Sequence, residues 1–226
     1  MDLLKELNLE FRYSKIHGNN FLWPADDQGC WYHLNKKKYA YTPREIVKYC
    51  NRTNLVIQAG GNCGIYPKQY SNLFNSVITF EPSWRNFFCL TYNLEEQNIY
   101  KFCAALGNTS EPVDIESQLD ANNEINVGNI KTVNGTGVIP QVTIDSLGLI
   151  PDLIHLDIEG YEPFALLGAR KTIERAKPTI ALEINESIEI YNWSYTKLKE
   201  LLFEMDYEKV SQINSLDSVW RHQSFL

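Results

Sequence analysis

No two cysteines of this 226-residue chain stand in a C-x-x-C spacing, and the five present (Cys30, Cys50, Cys63, Cys89 and Cys103) are odd in number and widely spread. That pattern argues against a zinc site and against a disulfide scaffold, and makes a reducing compartment, the cytoplasm, the default expectation. No apolar run approaches the roughly 18 residues of a membrane span. The start, MDLLKELNLEFRYSK, alternates charge with apolar residues and has no continuous apolar stretch, so neither a signal peptide nor a membrane partner is expected. Positive charge is short as well: 21 Lys and Arg face 28 Asp and Glu, a net charge of −7 with no basic half to offset an acidic one. Phosphate contacts need clustered positive charge, so no nucleic-acid partner is expected. What the chain does have is 44% hydrophobic residues, enough for one core with at most a short appendage.

From Thr42 onward, short β-branched runs alternate with helical stretches, the pattern of an α/β fold with a mostly parallel sheet and helices on both faces. Strands are predicted at Asn54 to Gln58, Ser76 to Phe80, Tyr100 to Ala105, Leu153 to Ile158 and Thr179 to Ile184. Helices are predicted from Pro43 to Arg52, Ile65 to Phe74, Glu162 to Ala176 and Ser194 to Met205. Another follows an N-cap at Ser83, with Trp84, Phe87, Phe88, Thr91 and Leu94 as the face toward the sheet. Tyr207 to Gln212 and Ser218 to His222 read as a C-terminal antiparallel hairpin finishing one sheet edge. Two segments fall outside this rhythm and read as additions: residues 1–41 as an N-terminal extension packed on the core, and about 108–142 as an insertion in the domain formed by 42–226. The insertion opens on the carboxyl edge of the sheet, where α/β folds bind ligands, and is placed to cap a substrate.

The strongest local signal is VIQAGGNCG, a strand running into Gly60, Gly61, Asn62 and Gly64 and then a helix. Glycine serves where backbone approaches a ligand closely, and a helix start offers free N–H groups. Glu81 ends the next strand, where a carboxylate can accept hydrogen bonds from two ribose hydroxyls. The turn lacks the G-x-G-x-x-G spacing that admits a pyrophosphate, which favours S-adenosyl-L-methionine over a dinucleotide. Its adenine would then lie against Pro82, Ser83 or Trp84 and the strand end at Ala104 and Ala105.

The succession VIQAGGNCG, VITFEPSWRNF, CAALGN, VTIDSLG, LIHLDIEGYEPFALLGA and IALEIN resembles the FkbM-type family of S-adenosylmethionine-dependent methyltransferases, over about Asn54 to Asn185. The resemblance implies a class I methyltransferase fold, a Rossmann-like seven-stranded sheet ending in an antiparallel hairpin, and an O-methyltransferase activity on sugars or natural products. It further implies Gly60, Asn62 and Gly64 for the amino-acid part of the cofactor, Glu81 for its ribose, and Asp157, Glu159 and Glu162 for the floor of the site. The acidic residue usual in the first strand of this family is Gln58 here. An amide can hydrogen-bond the methionyl ammonium but brings no charge.

In HLDIEGYE the period of two puts His155, Asp157 and Glu159 on one strand face, aimed at the ligand crevice. Asp157 is the first candidate for the base that takes a hydroxyl proton or positions the acceptor, Glu159 the second and His155 the third. Glu183, at the end of the next strand, is expected beside the acceptor as well. Oxygen ligands of this kind suit magnesium or calcium, but nothing fixes a geometry, and no metal is expected. Pro-Pro is absent, and with it the Asp/Asn-Pro-Pro-Tyr turn that grips a nitrogen acceptor; Pro-Cys, which attacks a pyrimidine ring, is absent too. Oxygen is therefore the favoured acceptor atom, on a small molecule or saccharide. Lys36, Lys37, Lys38 and Arg44 form the one basic run, and Trp23, Trp31 and Tyr32 are available either to stack on a sugar or to staple the N-terminal arm. The alternative to an enzyme is a catalytically inactive Rossmann-like ligand-binding or interaction module, an alternative motivated by Gln58.

Overall fold

The computed structural model describes residues 10–16, 19–27, 42–119, 125–133 and 137–226. Trp31, Tyr32 and Lys36 to Lys38 lie outside the described residues. The chain begins with an antiparallel hairpin, β1 (Phe11–Ile16) and β2 (Asn19–Pro24), followed by α1 (Thr42–Val47) and β3 (Leu55–Ala59). Next come α2 (Ile65–Ser71), β4 (Ser76–Phe80), α3 (Trp84–Asn93) and β5 (Ile99–Phe102). The two-residue strand β6 (Ala105–Leu106) precedes the hairpin β7 (Asp114–Leu119) and β8 (Ile125–Val133), and β9 (Gln141–Val142) returns to pair with β6. The remainder is β10 (Leu153–Leu156), α4 (Glu162–Leu167), α5 (Arg170–Ala176), β11 (Thr179–Glu183), α6 (Tyr195–Glu204), β12 (Tyr207–Gln212) and β13 (Asp217–His222).

The central sheet has seven strands in the order β12-β13-β11-β10-β3-β4-β5. β11, β10, β3, β4 and β5 are parallel, while β13 pairs antiparallel with β11 and with β12, so the C-terminal hairpin closes one edge as the sequence predicts. Alternation along the strands splits the core in two. Val56, Val77, Leu153, Ala181 and Val219 face a cluster that takes in residues of α2, α3 and the β1–β2 hairpin. Ile57, Ile154, Ile180, Leu182 and Trp220 face the other, built on α4, α5 and α6. Both faces of the sheet are thus covered, which is why its central strands read as continuous apolar runs.

Three expectations change in the structure. The predicted helix from Glu162 to Ala176 is two helices, α4 and α5, broken at Gly168, where a Cβ would lie 2.0 Å from the Gly107 carbonyl oxygen. The third strand stops at Phe102, and Ala105–Leu106 leaves the sheet to pair with Gln141–Val142. On α3 the buried residues are Asn86, Cys89 and Leu90, whereas Trp84, Phe88 and Thr91 are exposed. The outer side of that helix instead meets the N-terminal hairpin: Phe11 and Phe88 have ring centroids 5.1 Å apart, and the Tyr13 and Tyr92 hydroxyls share a hydrogen bond of 2.6 Å. Among the described residues no helix is long and apolar enough to cross a membrane.

Candidate functional site

The glycine turn is shaped by its neighbours on the sheet. The N–H groups of Gly60 and Gly61 both donate to the Phe80 carbonyl, at 3.1 and 2.9 Å, tying the turn to the end of β4. Gly60 has φ +81°, and a Cβ there would lie 1.8 Å from the Asp157 carbonyl oxygen, so no other residue is tolerated. The glycine that the sequence suggests for close ligand approach is thus needed first for close approach of β10. Glu81 is buried, with one carboxylate oxygen accepting from the Asn62 N–H at 2.8 Å and the other from the Ser83 N–H at 2.9 Å. Burial nevertheless outweighs those bonds and pushes its pKa up to about 7.

β10 ends at Leu156, and the chain turns sharply just beyond Asp157: Glu159 has φ +55°, an unusual conformation for a residue with a side chain, and Gly160 has φ +93°. The period of two expected for His155, Asp157 and Glu159 therefore holds only as far as the strand does. Glu162 folds back over this turn, accepting from the N–H groups of Ile158 at 2.9 Å and Gly160 at 3.3 Å, and burial raises it to about 7. Asp157 donates its N–H to the Ala59 carbonyl at 3.2 Å; burial first, then the charge of Glu183, raises its carboxyl well above the usual range. Burial, followed by repulsion from Asp217, lifts Glu183 to about 8. Glu159 is raised mainly by burial; the Asn185 side chain, which donates to it at 3.1 Å, pulls the other way, as does the Lys131 charge.

These elements enclose a cavity of about 310 Å³. Of the residues singled out from the sequence, Gly60, Gly61, Asn62, Glu81, Pro82, Ala104, Ala105, Asp157, Glu159 and Glu183 line it. Gln58, Gly64, Ser83, His155 and Glu162 do not line it. Ser83 caps α3, with its hydroxyl accepting from the Asn86 N–H, and a Cβ at Gly64 would meet the Leu94 side chain at 3.0 Å. His155 lies fully buried behind the cavity wall, its Nδ1 hydrogen-bonded to the Tyr70 hydroxyl at 2.9 Å and its ring stacked on Tyr66 at 5.5 Å. Its Nε2 stands 3.9 Å from the Asp217 carboxylate. Among the described residues no three His, Cys, Asp or Glu side chains are grouped to hold a metal.

The roof of the cavity is the β7–β8 hairpin, inside the insertion that the sequence reads as a cap, through Asn126, Val127, Gly128, Ile130 and Thr132, none of which the sequence singles out. Val127 is held on both sides: its N–H donates to Asp27 at 3.1 Å, and its carbonyl accepts from the buried Asn86 side chain at 2.7 Å. The Tyr191 hydroxyl holds the Thr132 carbonyl at 2.9 Å. Phe80, Tyr66 and Tyr161 complete the wall. A second, open groove of about 870 Å³ shares Asn126, Glu159 and Leu216 with the cavity and is bordered by Asn129, Asn185, Ser187, Tyr195 and Gln212.

Among solved structures, methyltransferase FkbM from Methylobacillus flagellatus KT is similar to this chain with a TM-score of 0.50 at 18% identity, over 84% of this chain and 51% of that one. The tRNA (uracil-54, C5)-methyltransferase of Pyrococcus abyssi, solved in complex with S-adenosyl-L-homocysteine, also gives 0.50, at 10% identity over 94% of this chain and 44% of that one. The chain therefore spans about half the length of these structures, and at such identities the likeness establishes the fold alone. No curated protein matches the sequence. The methyltransferase FkbM domain matches residues 68–209, from α2 into β12. With well over half of its length matched and a class I methyltransferase sheet to carry the match, the chain belongs to the FkbM methyltransferase domain family.

Proposed function

We propose that this protein is an S-adenosylmethionine-dependent methyltransferase that methylates a hydroxyl group of a small molecule or saccharide. The observation that carries this proposal is the sharing of Glu159 between two unlike spaces, a cavity that also holds Glu81 and the glycine turn, and an open groove bordered by amides, hydroxyls and the charged Glu186, Glu189 and Lys209. The residues present suit the cofactor. Glu81 keeps lone pairs free for two ribose hydroxyls, and Phe80, Pro82, Ala104 and Ala105 offer an apolar wall for a flat base. Asp157, beside Gly60, brings negative charge to the backbone turn where the amino-acid part would lie. When bound, S-adenosylmethionine supplies a methyl group on a positively charged sulfur, ready for in-line displacement.

The chain's own residues then have to orient a hydroxyl and take its proton. Glu159 is best situated for this, because it faces both spaces, whereas Asp157 is enclosed against Gly60. Its raised pKa makes it a stronger base than an exposed glutamate, and the groove gives the proton a way out to solvent. Asn129, Asn185, Gln212, Ser187 and the Tyr195 ring favour a hydroxyl-rich acceptor over an apolar one. The absence of Pro-Pro supports oxygen as acceptor atom, and the net charge of −7 weighs against nucleic acid and anionic membrane as partners. The free thiols of Cys50, Cys63, Cys89 and Cys103 support a cytoplasmic setting.

Calorimetric titration with S-adenosylmethionine, S-adenosylhomocysteine and NAD, followed by transfer of labelled methyl to a panel of monosaccharides and their glycosides, tests the proposal. Binding of the two adenosyl sulfur compounds without NAD, and label on an acceptor oxygen, is the expected result. Silence from all three ligands overturns it in favour of an inactive binding module.

A further inference from the structure

Gln58 stands at the strand position where the resemblance implies an acid, yet its side chain does not line the cavity. It is fully buried and sits between Thr79 on β4 and His155 on β10 in the sheet register. Its Nε2 donates to the carbonyls of Ala59 at 3.0 Å and Gly60 at 2.9 Å, and its Oε1 accepts from the Thr79 hydroxyl at 2.5 Å. Carbonyl oxygens only accept, so the amide nitrogen has to face the turn, and both of its hydrogens are spent there. A carboxylate in the same place would point an oxygen at two carbonyl oxygens, a desolvated charge facing like partial charges. Asp157 meanwhile packs its backbone against that same turn, its N–H on the Ala59 carbonyl at 3.2 Å and its carbonyl oxygen 1.8 Å from where a Cβ of Gly60 would be. Its side chain lines the cavity.

We infer that Gln58 is a positioning residue that clamps the glycine turn, and that the negative charge for the cofactor's ammonium has moved one strand over, to Asp157. This rests on the cofactor assigned above. Gln58 is then not a weakened ligand awaiting reversion to an acid: the clamp needs an amide, and an acid that a bound ammonium would hold ionised already stands beside the turn.

The test pairs two ligands, S-adenosylhomocysteine, which carries the amino-acid part, and 5′-methylthioadenosine, which lacks it. Both are titrated calorimetrically into the wild type, Gln58→Met, Gln58→Glu and Asp157→Asn, with thermal melts confirming folding. Loss of the clamping bonds at Gln58, or of the acid at Asp157, is expected to weaken S-adenosylhomocysteine at least about tenfold in each variant while methylthioadenosine stays within about threefold of wild type. Tighter S-adenosylhomocysteine binding by Gln58→Glu overturns the inference, and so does an equal loss for both ligands, which is what general disruption would give. Should Gln58→Glu fail to fold, Gln58→Met, which is uncharged, decides on the same readout. A wild type that binds neither ligand removes the cofactor assignment itself, an outcome distinct from a wild type that binds and a Gln58→Glu that binds better.

Discussion

Glu81 accepts the backbone N–H of Asn62 at 2.8 Å, so the carboxylate at the end of β4 holds the turn after β3 in place before any ligand arrives. With its other oxygen on the Ser83 N–H, the side chain bridges the start of α3 and the glycine turn. Preorganisation of this kind lets a ligand gain hydrogen bonds without first ordering the groups that make them.

Glu81→Gln puts an amide where two N–H donors converge and removes the charge that would face ribose hydroxyls. Hydrogen bonds to a charged group are worth about 1.5–3 kcal/mol. S-adenosylmethionine affinity measured by calorimetry is expected to fall by between about tenfold and a hundredfold. An affinity within error of wild type takes Glu81 out of the site.

Buried acids give the ligand-free protein an unusual pH profile. Glu81 and Glu162 are raised to about 7 and Glu183 to about 8, in each case chiefly by burial. Above the unfolded carboxyl pKa the folded state therefore holds more protons than the unfolded one. The stability these groups contribute is complete below that pKa and is lost as the pH rises through the folded values. A carboxyl raised by one pH unit on folding changes stability by about 1.4 kcal/mol across that window, so the melting temperature should drop from about pH 5 to about pH 8. The stabilisation by positively charged S-adenosylmethionine should grow as the same acids ionise. A melting temperature that climbs with pH over this range contradicts the proposed origin of the profile.

Glu159→Gln keeps the hydrogen-bonding shape and removes the base. General-base catalysis contributes about 10²–10⁴-fold, so methyl transfer should slow by at least a hundredfold while cofactor affinity stays within about threefold. Transfer at the wild-type rate assigns proton removal to another group.

Asn86→Ala strips the Val127 carbonyl of its buried partner. An unsatisfied buried acceptor costs about 1–3 kcal/mol, readable as a lower midpoint in urea denaturation with an unchanged slope. An unaltered midpoint means that the hairpin is not held there.

His155→Phe fills the same space without touching the cavity. It leaves the Tyr70 hydroxyl without its ring partner. Stability should drop by about 1–3 kcal/mol, with methyl transfer within about threefold of wild type. A folded variant that has lost turnover returns His155 to the chemistry.

The sheet was legible because its strands are buried on both faces and end at glycine or proline: NLVIQ before Gly60, and TIALEI after Pro178, need no partner in view. The site was most legible where a carboxylate or glycine stood at such a strand end, as with Glu81, Asp157 and Glu183. Glu159 shows where local reading stops, since the left-handed turn at that residue breaks the alternation that a strand would impose. His155 belongs with Tyr66 and Tyr70 because it shares the strand face of Leu153, a consequence of packing that no spacing within HLDIEGYE reveals. The insertion reads as a cap, but the residues that form the roof were hidden for a plainer reason. Val127 is held by Asp27, 100 residues earlier, and by Asn86, 41 residues earlier, and pairings at that distance have no local signature.

The two bonds on Val127 also bear on traffic through the protein. A strand held near its start to Asp27, just after the N-terminal hairpin, and to Asn86 on α3 cannot lift as a flap without breaking a buried amide contact at each anchor. The junction of cavity and groove at Glu159, Asn126 and Leu216 offers reactant and product a route that leaves this strand in place. The enzyme proposed above would then work with a side door, and Glu159, Asn126 and Leu216, which border both spaces, would bear on how bulky an acceptor it admits.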